Sequence, residues 1–203
     1  MKTLKIPHGQ LSERQLDELC RDLGNGAIMI WPTDTLYGIA CDALNPKAIE
    51  KVCALKKINP DKTNLSIVCS SISQAAEYAR INDKVFRLLR ENSPGPYTFI
   101  CPAATLLPRA FKGRKLVGIR ISENPINAAV AERLGHPLLT TSIEYDDPDY
   151  AISPSLISEA YNDKVDIMIE AAPGSIEPST VIDCSGSEPE VVREGKGYSN
   201  LRL

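Results

Sequence analysis

Apolar residues along the chain fall into short continuous runs and into stripes at helical spacing, and Gly, Pro, Asn and Asp separate the two. Residues 3–6 predict a first short strand. Ser12-Glu-Arg-Gln15 then reads as a capping box, followed by Leu16, Leu19, Cys20 and Leu23 on one helical face until Gly24 and Gly26 stop the helix. The run 27–31 suits a strand covered on both faces, and 37–41 is a second, with the polar turn Pro32-Thr-Asp-Thr35 between them. Asn45-Pro46 opens a helix carrying Ile49, Val52 and Cys53 on one stripe, which Asn59-Pro60-Asp61 is expected to end before a strand at 65–69.

The same alternation continues. It predicts a helix after Ser73, another over 82–92, a turn at Ser93-Pro-Gly-Pro96, and strands at 97–101 and 116–121. A helix opened by Asn124-Pro125, a strand at 137–141, a helix over 154–161 and strands at 165–169, 179–184 and 191–193 complete it. No internal repeat or low-complexity linker interrupts the pattern, so residues 1–203 read as a single α/β domain with a mixed sheet covered by helices. The longest loops, about 102–115 and 142–153, are the expected functional rims.

Composition narrows the function. Of 203 residues, 43% are apolar and 24% charged, and 23 Lys plus Arg face 26 Asp plus Glu, a net charge of −3 that excludes a nucleic-acid coat. Any nucleic-acid surface must be local. Two histidines, His8 and His136, leave little for a histidine metal site or a Ser-His-Asp triad. Six scattered cysteines without a CxxC pair read as reduced packing residues. The start of the chain shows no apolar leader and no run approaches the ~18 residues of a membrane span, so a cytoplasmic protein without membrane partners is expected.

Candidate chemistry lies at strand ends, where open α/β sheets bind ligands. In Pro32-Thr33-Asp34-Thr35 the plainer reading is a hydroxyl turn that satisfies its own backbone, and a ligand site is the alternative. Lys56 continues the inward stripe of its helix, so it either points into a cleft or complements the helix C-terminus. Arg120, inside a strand, must face solvent or find an anion. Thr140-Thr141-Ser142, Pro178-Ser179-Thr180 and Arg193-Glu-Gly-Lys-Gly197 add hydroxyls, glycines and cations suited to phosphate or carboxylate oxygens. With no P-loop and no GxGxxG, a Walker ATPase and a Rossmann dehydrogenase are disfavoured.

Taken in order, Trp31-Pro-Thr-Asp-Thr-Leu-Tyr-Gly38, Leu55-Lys56, Ser93-Pro-Gly-Pro-Tyr-Thr98, Val117-Gly-Ile-Arg120, Leu139-Thr-Thr-Ser142, Pro178-Ser-Thr-Val-Ile-Asp183 and Val192-Arg-Glu-Gly195 resemble the successive blocks of the YrdC/YciO family. The resemblance implies a twisted, open α/β sheet with a concave groove. It also implies threonylcarbamoyladenylate synthase chemistry, in which L-threonine, bicarbonate and ATP with Mg²⁺ give an activated carbamoyl group for tRNA modification, with release of pyrophosphate. Thr35, Arg120 and Ser179 would then lie near threonine; Lys56, Asn64, Thr98, Thr140, Ser142 and Arg193 near the nucleotide; and Lys56 and Arg120 would be the catalytic cations. The protein itself would supply no metal ligand.

Two departures bring the chain closer to the YciO branch. The synthases carry Lys-x-Arg where this chain has Lys56-Lys57-Ile58, and Ser-x-Asn where it has Ser142-Ile143-Glu144; Lys57 and Lys62 are the nearest substitute cations. A lost arginine and an added carboxylate both oppose phosphate binding. Cys69 stands where the synthases usually have a histidine. Two readings stay open: a weak or altered synthase, and a non-catalytic module that binds double-stranded RNA or ribosomal material. For RNA the useful cations are Arg109, Lys112, Arg114 and Lys115, in a stretch whose plainer reading is a solvated loop.

Overall fold

Side chains that accept a backbone N–H fix the starts of the first five helices described. Ser12 caps α1 (Glu13–Gly24), Asn45 α2 (Pro46–Leu55), Ser71 α3 (Ile72–Tyr78), Asn82 α4 (Asp83–Asn92) and Asn124 α5 (Pro125–Leu134). At Ser12 the box is reciprocal, because Gln15 Oε1 also accepts the Ser12 N–H at 3.0 Å. Ser12→Ala is expected to lower stability by about 1 kcal/mol, read as a reduced midpoint in urea unfolding with the slope unchanged.

The computed structural model describes residues 1–6, 9–59, 63, 65–108, 111, 115–145 and 147–203. Its strands are β1 (Lys2–Lys5), β2 (Ile28–Trp31), β3 (Gly38–Asp42), β4 (Ser66–Val68), β5 (Tyr97–Pro102), β6 (Leu116–Arg120), β7 (Leu138–Ser142), β8 (Ile167–Glu170), β9 (Thr180–Asp183) and β10 (Glu190–Arg193). They form one mixed sheet in the order β1-β8-β2-β3-β7-β4-β6-β5-β9-β10. The single α/β domain with a mixed sheet is therefore observed as expected. Two further helices are α6 (Pro148–Ile152), in what was expected to be loop, and α7 (Pro154–Tyr161). Among the described residues no helix is long and apolar enough to cross a membrane.

Successive residues of a strand point to opposite faces, and here the faces feed two separate cores. Ile28, Ile30, Ile39, Cys41, Ile67, Leu139 and Met168 join the larger core, where α2, α3, α4 and α7 add their apolar stripes. Met29, Trp31, Ala40, Val68, Leu138 and Ile167 join the smaller one, closed by α1 and α5. Each Ile or Leu so buried contributes about 1.5–3 kcal/mol of transfer free energy, which holds the register. Leu107 and Phe111, in the expected rim 102–115, are buried in the larger core, so that part of the loop is packing rather than rim.

The second helix ends earlier than its breaker residues suggested. It stops at Leu55, and Lys57 takes φ +51°, a left-handed turn that sends the chain away before Asn59. The six cysteines are free, as expected, and five are buried. Burial pushes the thiols of Cys41 and Cys69 up, and Cys20 up to about 11, so they are inert packing groups.

Candidate ligand-binding groove

On the face of the sheet that α1 and α5 cover, the apolar positions stop two residues short on three strands. Ala40 gives way to Gly38, Leu138 to Thr140 and Val68 to Ser66, and all three of those residues line an open cavity of ≈ 240 Å³. The row Thr140, Ser66, Gly118 and Ile100 crosses neighbouring strands in register and floors it. A β-carbon on Gly118 would lie 2.4 Å from Ser66 Oγ, so only glycine leaves this floor open. Thr98, Arg120, Ser142, Ser179 and Arg193 line the same cavity.

Arg120 turns inward from β6 and is 7% exposed. Its Nη2 donates to Asp34 Oδ1 at 2.6 Å and to Thr35 Oγ1 at 3.1 Å. Its Nε is buried and has no hydrogen-bond partner among the described residues, an orphan donor of a kind folded proteins rarely leave except at functional sites. Asp34 is held in turn by its own loop. Thr33 Oγ1 accepts the Thr35 N–H at 3.0 Å and donates to Leu36 O at 2.6 Å, Asn127 Nδ2 from α5 donates to Pro32 O at 2.9 Å, and Lys196 Nζ donates to Asp34 O at 2.6 Å. The turn thus satisfies its own backbone, the plainer of the two readings, and through Asp34 and Thr35 it also holds Arg120 in place.

Ser179 ties the far wall together. Its Oγ is 2.9 Å from Thr98 Oγ1 and accepts from Arg193 Nη2 at 3.0 Å, while its carbonyl accepts from Arg193 Nε and Nη2 at 3.0 and 2.9 Å. Partial burial and the nearby positive charge of Arg120 hold the Arg193 guanidinium below the ordinary arginine range. Two guanidiniums facing one cavity repel, and an anion between them relieves both. No carboxylate pairs with Arg193 among the described residues.

Lys56 caps α2, and its side chain is only 11% exposed. Its Nζ reaches across to the β7 end, donating to Ser142 O and pairing with Glu144 Oε1, both at 2.9 Å. The side chain thus runs to the end of β7, where its charge is already partnered. Glu144 occupies Lys56 in this structure. Ile58 lines the cavity where the synthase pattern has arginine, and Cys69 packs into the larger core, away from the groove.

The structure brings Thr98, Arg120, Thr140, Ser142, Ser179 and Arg193 to one cavity, with Lys56 at its wall and Thr35 buried behind Arg120. Asn64, Arg109, Lys112 and Arg114, like Lys62, lie outside the described residues; of the RNA candidates only Lys115 is described, at φ +58° on entry to β6. Sequence reasoning missed that Asp34 and Glu144 take up Arg120 and Lys56. Each pair joins residues more than eighty positions apart (86 for Asp34 and Arg120), which no local spacing reveals.

The family model Sua5/YciO/YrdC, described as "Telomere recombination", matches residues 21–195. The chain belongs to the Sua5/YciO/YrdC family. It is 32% identical over 188 residues to the uncharacterized protein YciO of Escherichia coli strain K12, covering 91% of each chain. The crystal structure of E. coli YciO aligns with a TM-score of 0.88 over 97% of both chains at 30% identity. P. abyssi Sua5, solved in complex with L-threonine, aligns with a TM-score of 0.86 at 24% identity, over 96% of this chain and 58% of Sua5. Full-length HypF in a phosphate- and nucleotide-bound form aligns at 0.75 and 15% identity, over 91% of this chain and 29% of HypF. At those identities Sua5 and HypF show a shared fold.

Proposed function

We propose that the groove binds an amino acid beside an adenine nucleotide and that the chain is a threonylcarbamoyladenylate synthase-type protein with slow turnover. The observation that carries this reading is Arg120: a buried guanidinium on the cavity wall with an unpartnered Nε, facing a second guanidinium at Arg193. A carboxylate suits the first and a phosphate the second. The L-threonine of the Sua5 complex and the nucleotide and phosphate of the HypF complex support the same pairing of ligand types on this fold.

In the reaction, threonine's amine and bicarbonate give a carbamate with loss of water. A carbamate oxygen then attacks the α-phosphorus of ATP, and pyrophosphate leaves. The carbamate is itself the nucleophile, so no protein base is required. What the chain supplies is orientation of the carboxylate by Arg120 and charge for the phosphate oxygens from Arg193. Mg²⁺ would arrive on the triphosphate; the described residues form no cluster of three metal-ligating side chains. Ile58 and the Lys56–Glu144 pair remove cationic stabilisation from the leaving pyrophosphate, which is why turnover is slow.

With ATP, bicarbonate and L-threonine, pyrophosphate release is expected to be slow and threonine-dependent. Release no greater than in a protein-free control rejects the reading. The adenylate product would link the chain to tRNA modification; a role in double-stranded RNA binding has no feature beyond Lys115 in its favour among the described residues.

A further inference from the structure

Lys196 stands outside the groove yet is tied to both of its anchors. The groove lining does not include it; it borders a separate cavity of ≈ 480 Å³ with Asn92, Tyr97 and Glu123. Its Nζ donates to Asp34 O at 2.6 Å, and the side chains of Asp34 and Thr35 accept from Arg120 Nη2 at 2.6 and 3.1 Å. Its backbone lies in a parallel bridge with Ser179: the Lys196 N–H donates to Pro178 O at 2.8 Å and its carbonyl accepts from Thr180 Oγ1 at 3.0 Å. Ser179 is the residue that Arg193 grips through carbonyl and hydroxyl. One residue therefore joins the loop that holds Arg120 to the strand end that Arg193 grips.

A lysine stem is flexible, so it fixes a loop only where its own backbone is fixed. Here the next residue, Gly197, turns at φ +82°, and its carbonyl accepts from the Tyr97 hydroxyl at 2.9 Å. Asn92 then clamps Arg202, donating to its carbonyl at 2.8 Å and accepting its N–H at 2.9 Å. On the other flank Asn127 Nδ2 donates to Pro32 O at 2.9 Å. The loop is thus held at Pro32 from α5 and at Asp34 from the segment after β10, and the second tie, with an ionised donor, is the stronger kind. We infer that Lys196 is a positioning residue: it sets where Arg120 stands relative to Arg193, and with that the spacing between a carboxylate at the first and a phosphate at the second. The inference rests on the two-ligand reading above and adds the residue that aligns the ligands. Without the ammonium the Asp34 end of the loop comes loose while the Pro32 end stays held, and Asp34 and Thr35 carry Arg120 out of line. Arg193 keeps its grip on Ser179, because those bonds run to the Ser179 carbonyl and hydroxyl and not through the Lys196 side chain.

Titration calorimetry with L-threonine and with ATP, and steady-state pyrophosphate release, would be measured on the full chain and on Lys196→Met and Lys196→Arg, under conditions where urea unfolding shows each variant folded. Lys196→Met is expected to weaken L-threonine binding about tenfold while leaving ATP within about twofold. With both ligands saturating, its turnover should stay about tenfold lower, because the misalignment persists when both sites are full. Lys196→Arg keeps an ionised donor for a single carbonyl acceptor and should restore threonine affinity and turnover to within about threefold. If Lys196→Met does not fold, Lys196→Gln, which keeps a donor without the charge, carries the same comparison. Equal losses of threonine and ATP affinity, or no loss of either, would make Lys196 a support of the fold alone and overturn the inference while the two-ligand reading stands. If the unmodified chain binds neither ligand, both fail together.

Discussion

Replacing Arg120 with methionine is expected to lower stability by about 3 kcal/mol, because it strands the Asp34 carboxylate in a site where its side chain is 5% exposed. Removing one member of a buried pair costs far more than the pair contributes, since the remaining charge keeps its desolvation penalty and loses its compensation. Asp34 would retain the Glu123 N–H at 3.4 Å, a weak contact, so the loss falls toward the lower end of the range for such pairs. The double variant Asp34→Asn with Arg120→Met removes both charges and should recover most of that stability. It should not recover ligand binding: without the guanidinium, affinity for L-threonine is expected to fall about 10–100-fold in both variants. Urea unfolding and calorimetry on the single and double variants check this. Recovery of threonine binding in the double variant would show that Arg120 is a structural cation and not a carboxylate receptor.

Much of the architecture was legible because its causes are local. The capping residues Ser12, Asn45, Asn82 and Asn124 sit immediately before apolar stripes, and the structure places a helix start at each. The third helix shows the limit of that reasoning: the pattern put its start after Ser73, whereas the helix begins at Ile72 and Ser71 caps it, accepting the Gln74 N–H at 3.1 Å. Helix α6 was missed although Asp147-Pro148 is a proper start signal, because so short a segment shows no apolar periodicity.

The groove was legible only in its residue types. Hydroxyls and cations at strand ends pointed to an anion site, but which of them meet depends on the sheet order, and that is set by packing between distant segments. Residues 98, 120, 140 and 179 become neighbours because β7, β4, β6, β5 and β9 lie side by side. The charge balance of the site was likewise hidden. A sequence reading counts Arg120 and Lys56 as free cations, whereas the structure shows one paired to Asp34 and the other to Glu144. The first pairing holds an arginine rigid with a donor to spare, and the second withdraws a lysine from any ligand.

The segment after β10 tests whether the far wall is built as tightly as the geometry indicates. Gly195 lies against the backbone of Pro178 and Ser179: a β-carbon there would stand 2.4 Å from Pro178 O and 2.7 Å from Ser179 O. Neither oxygen belongs to a side chain that can rotate away, so the chain itself must move. It is not free to do so, because Thr180 Oγ1 donates to Gly195 O at 2.9 Å and accepts the Gly195 N–H at 3.1 Å. Gly195→Ala is therefore expected to cost about 1–3 kcal/mol in urea unfolding, the range for overpacked sites. The same displacement shifts Ser179 relative to Arg193, whose guanidinium grips its carbonyl and hydroxyl, so ATP affinity should fall about tenfold even at temperatures where the variant is fully folded. Gly186→Ala serves as the control, since the nearest atom to its β-carbon would be 3.7 Å away, and it should change neither stability nor affinity measurably. If Gly195→Ala loses stability but keeps its ATP affinity, the strand-end segment supports the fold without positioning Arg193 for the phosphates.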